Sequence, residues 1–238
     1  MPISTDPFFE PYDREQTAYG EEPSAPLAEY LAQVEGSGKA FDLAAGAGRD
    51  SMELLRSGFE VTAVDLSERG LQKIGQKASE AGFKDRLTTK FMDVRDVVFP
   101  TGTLAGLVAT TMLDHIPSND ALVIWQRMCD SLTTDGFMYV EVHTTEDPGC
   151  PIEPGCSSDA PVSETTGAVV NYFAPNQLAE WATRQESRLR ILLYEERLEW
   201  DYTHGPEHQH GKAILLAVRS GCHPSWHGQP PAFPRRGR

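Results

Sequence analysis

From Lys39 onward the sequence alternates short apolar runs with amphipathic stretches, which leaves few folds open to it. "KAFDLA" reads as a buried strand, and "RDSMELLRSG" as a helix stopped by Gly58. "FEVTAVD" reads as the next strand, and "SERGLQKIGQKASEAG" as a helix with Ser67 in the capping position. "RLTTKFMD", "LAGLVATT", a helix over "NDALVIWQRMCDSL" and the strand "GFMYVEVHT" continue the series. Strand–helix alternation of this kind predicts an α/β fold, a parallel sheet with helices on both faces.

After His143 the pattern breaks. Residues 144–174, rich in Pro, Gly and Ser and without a period, are expected to form an irregular insertion over the site. "APNQLAEWATRQ" reads as helical, and "RLRILLYEERLEW" and "KAILLAVRS" as two antiparallel strands joined by a loop from Trp200 to Gly211. The expected organisation is one domain over 39–219. Before it stands an N-terminal lid or helical segment, 1–38, its first 25 or so residues irregular apart from a short helix near Asp13–Tyr19; after it comes a flexible tail, 220–238.

Charge narrows the partners. The 35 acids against 21 Lys and Arg give a formal charge of −14, which repels nucleic-acid backbones and anionic membranes, so neither is expected to bind. No apolar run approaches the roughly 20 residues of a membrane helix. "MPISTDPFFEPYDREQ" has neither the basic nor the apolar region of a secretory signal. Cys129, Cys150, Cys156 and Cys222 are scattered, so reduced thiols in the cytoplasm are the expectation. The oligomeric state is left open.

The first strand runs into "FDLAAGAGRDS", where Ala44, Gly46 and Gly48 permit a tight turn and let a ligand approach the backbone. A nicotinamide fingerprint counted from Gly46 would want glycine or alanine at position 51 and finds Ser51. The acids are more specific. Asp42 lies just before the turn, Asp65 ends the second strand where a carboxylate can hold both ribose hydroxyls, and Asp93 follows the third, beside the backbone N–H of Val94.

With these residues in place, "DLAAGAGRDSMELLRSGFEVTAVDLS", "FMDV" and "LAGLVATTMLDHIP" resemble the successive motifs of the class I S-adenosylmethionine-dependent methyltransferases. The departure is Ala44 where the family usually has its first glycine. The resemblance implies a Rossmann-like, doubly wound sheet of order 3-2-1-4-5-7-6 with strand 7 antiparallel. It implies S-adenosyl-L-methionine as cofactor, held by Asp42, Ala44, Gly46, Gly48, Arg49, Asp65, Leu66, Asp93, Val94 and Thr110. Within the class the chain looks most similar to the tellurite-resistance and thiopurine-type enzymes, which act on small molecules.

In that topology the end of strand 6 lies on the ligand edge, so "WDYTHGPEHQHG" faces the same crevice as "LDHIP" and His143. Two readings of the histidines stand beside a plain solvated hairpin. In the first, His115, His208 and His210 act as acid–base groups, while Asp114, His115, His143, Asp201, His204, His208 and His210 bind the substrate without metal. In the second, His204, His208 and His210, helped by Asp201, Asp114, His115 or His143, ligate a divalent metal that holds it. The expected reaction is methyl transfer to a sulfur, selenium, tellurium or nitrogen nucleophile of a small molecule. A nicotinamide-dependent oxidoreductase and a non-catalytic cofactor-binding protein are the alternatives.

Overall fold

The computed structural model describes residues 10–13, 19–150, 170–202 and 207–221. Its elements, in chain order, are α1 (Glu10–Asp13), α2 (Ala25–Leu31), β1 (Lys39–Leu43), α3 (Arg49–Arg56), β2 (Glu60–Asp65) and α4 (Glu68–Glu80). These are followed by β3 (Leu87–Phe91), β4 (Leu104–Thr110), α5 (Ser118–Ser131), β5 (Leu132–His143), α6 (Gln177–Thr183), β6 (Leu189–Asp201) and β7 (His208–Arg219). Of the helix expected near Asp13–Tyr19, residues 14–18 lie outside the described residues, and Glu10–Asp13 before them is helical. A second helix, Ala25–Leu31, lies within the segment expected as lid or helix; its Pro26 sits in the first turn, where the missing N–H costs nothing.

The seven strands form one sheet in the order β3-β2-β1-β4-β5-β7-β6, as the resemblance implies. Pairing is parallel from β3 through β5, and β7 runs antiparallel to both neighbours. The apolar run "AILLAV" explains why β7 tolerates an internal place: residues 213–218 are buried on both faces. Edge strand β3 is mostly exposed and carries Lys90, which discourages pairing with another sheet.

Helices cover both faces. On one, Trp125 and Met128 of α5 and Trp181 of α6 pack with Leu107, Val140 and Leu215. On the other, Leu27 and Tyr30 of α2 and Leu54 and Leu55 of α3 pack with Val108, Phe137 and Leu216. At about 1.5–3 kcal/mol for each large side chain removed from water, these two layers fix the sheet. They also fix where its carboxyl ends emerge.

Among the described residues no helix is long and apolar enough to cross a membrane. Residues 1–9 and 14–18 of the N-terminal segment, residues 151–169 of the insertion with Cys156, His204, and the tail from Cys222 onward lie outside the described residues.

Candidate active site

One crevice of about 790 Å³ opens along the carboxyl ends of β1, β2, β4, β5 and β6. Parallel strands aim their C-terminal loops at a single edge, so residues far apart in sequence meet there.

Its first half is the turn after β1. Ala44, Gly46 and Gly48 have φ of 56°, 54° and 82°, a conformation that costs alanine more than glycine. The turn is held from beneath: Gly46 N–H donates to Asp65 Oδ2 (2.8 Å) and Ser67 N–H to Asp65 Oδ1 (2.6 Å). Burial raises the Asp65 carboxyl above its usual range, although the Gly46, Ser67 and Leu66 N–H groups oppose this. Asp42 accepts from Ser51 Oγ at 2.5 Å. Burial, aided by the charge of Asp50 and opposed by that hydrogen bond, pushes Asp42 up to about 8.

Asp93 and Val94 line the crevice, but the Asp93 carboxylate is gripped by Arg95 through Nε (3.0 Å) and Nη2 (2.6 Å). That grip, which outweighs partial burial, lowers its pKa. Arg49 and Leu66 are also in the wall, and Tyr12 lies against Gly46.

Sequence reasoning missed Asp50. It is buried, accepts from Ser24 N–H (2.7 Å) and Ser24 Oγ (3.0 Å), and also accepts from Thr110 Oγ1 (3.2 Å). This ties the residues before β1 to the end of β4. In the sequence an acid in the first turn of a helix reads as a dipole partner and no more.

The second half is a histidine and aspartate cluster. Asp114 is fully buried behind the wall, and its Oδ2 meets both the N–H (3.0 Å) and Nδ1 (2.5 Å) of His143. Asp114 Oδ1 has no hydrogen-bond partner among the described residues, with His115 Nδ1 at 3.7 Å. Burial raises the Asp114 carboxyl, but His115 and His143 outweigh it and the net direction is down. Burial pushes His143 down, yet the hydrogen bond and charge of Asp114 prevail and raise it. The His115 Nδ1 lies 2.6 Å from the Thr111 carbonyl, which makes Nδ1 the protonated nitrogen and Nε2 the basic one.

His208 and His210 correct the expected loop. They belong to β7, which pairs through His208↔Asp201 and His210↔Glu199, so residues 200–201 and 208–211 of the expected loop are hairpin strand. Alternate residues of a strand share a face, and directly paired residues project to the same side. The two imidazoles face each other with Nε2 atoms 2.9 Å apart. His210 Nδ1 is 3.0 Å from Oδ2 of Asp147, and its Nε2 is 4.0 Å from Asp201 Oδ2. His143 stacks edge-on to His210 with ring centres 4.8 Å apart, which joins the cluster into one wall.

Asp147 was also missed. Its Oδ1 accepts from Gly149 N–H (2.7 Å) and its Oδ2 from Gly211 N–H (3.0 Å). The signal was the turn "DPG" just after β5, where an aspartate side chain bonds the backbone two residues on.

Residues 40–136 match the family model described as "Methyltransferase domain". A curated relative from Bacillus subtilis (strain 168), "Putative methyltransferase YqeM", is 28% identical over 127 residues, 51% of this chain and 50% of that protein. The chain thus spans about half the length of the curated relative it matches. Among solved structures, TehB from Haemophilus influenzae superposes with a TM-score of 0.65 at 18% identity, over 83% of this chain and 62% of that one. The Burkholderia thailandensis 1,6-didemethyltoxoflavin-N1-methyltransferase, solved with 1,6-didemethyltoxoflavin and S-adenosylhomocysteine, gives 0.61 at 18% identity over 82% and 77%. Residues 40–136 are thus similar to a methyltransferase domain, and the strand order gives the chain the fold of the class I S-adenosylmethionine-dependent methyltransferases.

Proposed function

We propose that this chain transfers the methyl group of S-adenosylmethionine to a nucleophilic sulfur, selenium, tellurium or nitrogen atom of a small molecule. The observation that carries the reading is the continuity of the crevice: the acid-braced turn and the histidine cluster are two ends of one cavity. Asp42, Asp50 and Asp65 are buried at the first end and all titrate above the usual carboxylate range. Buried acids of that kind favour a cationic ligand, and S-adenosylmethionine carries a sulfonium and an ammonium. Asp65 supplies acceptors for the ribose, and Val94 a backbone donor for the adenine.

Methyl transfer is an in-line displacement on an already activated sulfonium, so the protein chiefly has to hold the nucleophile at about 3–3.5 Å and in line. Asp114, expected to touch the substrate, does not line the crevice; buried behind it, its Oδ2 positions His143, and the substrate contact passes to His143 and His115. A soft thiol or selenol needs little assistance. An amine acceptor must lose a proton, and His115 Nε2 is the nitrogen that its contact with Thr111 leaves basic. Tyr12, Tyr19 and Tyr172 line the opening and serve to cover it. A negatively charged surface and the buried thiol of Cys129 fit a cytoplasmic protein that engages neither nucleic acid nor membrane.

Calorimetry with S-adenosylmethionine, S-adenosylhomocysteine and NADH tests the cofactor, and release of S-adenosylhomocysteine on a panel of thiols, selenols and amines tests the reaction. NADH binding as tight as S-adenosylmethionine overturns the assignment; tight binding without turnover on the whole panel favours a non-catalytic binder. A pH series adds a sharper check. Asp42 is protonated below about 8, and a cation prefers its carboxylate. Affinity for S-adenosylmethionine is therefore expected to rise from about pH 6.5 to 8.5, by at most about tenfold per unit, with a weaker slope for S-adenosylhomocysteine, which lacks the sulfonium. Equal slopes for the two would remove Asp42 from the sulfonium's surroundings.

A further inference from the structure

We infer that His208, His210 and Asp201 form a site for one divalent first-row transition cation, with Asp147 as the positioning residue for His210. The site deepens the methyl-transfer reading by naming what holds the acceptor, but cation binding itself stands or falls without that reading.

Backbone geometry brings the donors together. His208 and His210 are two apart on β7, and Asp201 is the register partner of His208 on β6. All three therefore leave the hairpin on the crevice side, and all three line the cavity. The 2.9 Å between the two Nε2 atoms is the spacing of adjacent ligands around a small cation: two nitrogens at about 2.1 Å and right angles lie about 3.0 Å apart. Asp201 Oδ2, 4.0 Å from His210 Nε2, closes a third side with a small side-chain rotation.

The orientation of His210 is the second, independent argument. Its Nδ1 faces Asp147 Oδ2, and that oxygen is itself fixed by Gly211 N–H at 3.0 Å. A carboxylate on the far nitrogen is the usual brace of a metal-bound imidazole, because it places the proton on Nδ1 and leaves Nε2 its lone pair. Here that lone pair points at the other imidazole. At this distance the two nitrogens share one proton or one cation, and the carboxylate of Asp201 beside them stabilises positive charge at that point.

Two imidazoles and one carboxylate, with the remaining positions open to the cavity, suit zinc, iron(II), nickel or manganese rather than calcium. The matching acceptor is a small molecule that offers oxygen or nitrogen donors to the cation. Trp200 and Tyr202, stacked with ring centres 6.1 Å apart at the mouth of the crevice, fit a planar one.

The test uses untagged full-length protein stripped with chelator, titrated with zinc, nickel, manganese and iron(II) salts by calorimetry and checked by elemental analysis. One equivalent of at least one metal is expected at micromolar Kd or tighter. Binding is expected to disappear in the His208→Ala/His210→Ala double variant. The Asp147→Asn variant, which keeps both imidazoles, is expected to bind about 10–100-fold more weakly. Thermal melts confirm that each variant is folded. No metal retained at about 100 μM overturns the site, as does unchanged affinity in both Asp147→Asn and Asp201→Asn, the mark of adventitious chelation by two surface histidines. S-adenosylmethionine titrations of the metal-free protein report separately on the methyl-transfer reading.

Discussion

In the Asp65→Ala variant, affinity for S-adenosylhomocysteine falls by about 100-fold or more and the melting temperature drops with it. The carboxylate has two tasks. It accepts the Gly46 and Ser67 N–H groups, and with about four acceptor positions in all a carboxylate keeps room for a ribose hydroxyl as well. Removing it strands two buried donors at about 1–3 kcal/mol each, which loosens the turn before any ligand arrives. The lost bond to the ligand adds about 1.5–3 kcal/mol, and together these exceed the roughly 2.8 kcal/mol of a hundredfold change. Asp65→Asn separates the tasks, since its amide oxygen can still accept from Gly46 while its NH₂ group opposes Ser67. An intermediate affinity with a near-normal melt assigns most of the effect to the ligand. Unchanged affinity in the alanine variant removes Asp65 from the cofactor site.

The same residue shows how far the sequence reaches. That an acid ends β2 is visible at once, because the apolar run "FEVTAV" stops at it. That the acid also braces the opposite turn is not, because Gly46 is brought to it only by the β1–β2 register, in which Leu43 lies beside Val64. Local signals, such as the Ser67 cap and the Gly58 stop, were legible because they depend on neighbours in sequence. The strand order came from resemblance to a known family rather than from periodicity.

The histidines mark the other limit. "HGPEHQHGK" mixes Gly, Pro and charged residues and lacks the apolar alternation of a strand, so the sequence alone reads it as loop. In the fold the alternation is present but serves a polar face: His208, His210 and Lys212 point to the crevice, while Gly211 lets the 144–147 segment lie against the strand. A strand whose inward face lines a site has no reason to be apolar there. Asp147 was hidden for a related reason, since its partners Gly211 and His210 stand more than sixty residues downstream.

Gly211 is where this arrangement is most sensitive. In the Gly211→Ala variant the new methyl group would sit 2.4 Å from the Asp147 backbone nitrogen and 2.7 Å from the Glu146 carbonyl carbon, both main-chain atoms that cannot rotate away. The segment is pinned to β7 by Thr144 N–H on the Gly211 carbonyl (2.8 Å) and to the later chain by Thr145 N–H on the Phe173 carbonyl (2.9 Å). Relief therefore means moving the whole segment off the strand. Overpacking of this kind costs about 1–3 kcal/mol, which for a domain of this size lowers the melting temperature by roughly 2–12 °C. The larger effect falls on His210, which loses Asp147 as its brace. Affinity for S-adenosylhomocysteine is expected to stay within about twofold, because the Gly46–Asp65 turn belongs to the other half of the crevice, a separation at which effects are usually additive. Imidazole nitrogen spectra are expected to show His210 losing its fixed tautomer, and turnover on any acceptor found is expected to drop by an order of magnitude or more, the effect typical of removing an oriented acid–base or ligand group. A variant that melts lower yet keeps the His210 signals and full turnover would show that Asp147 only secures the loop and that the orientation of His210 is set from within the hairpin itself.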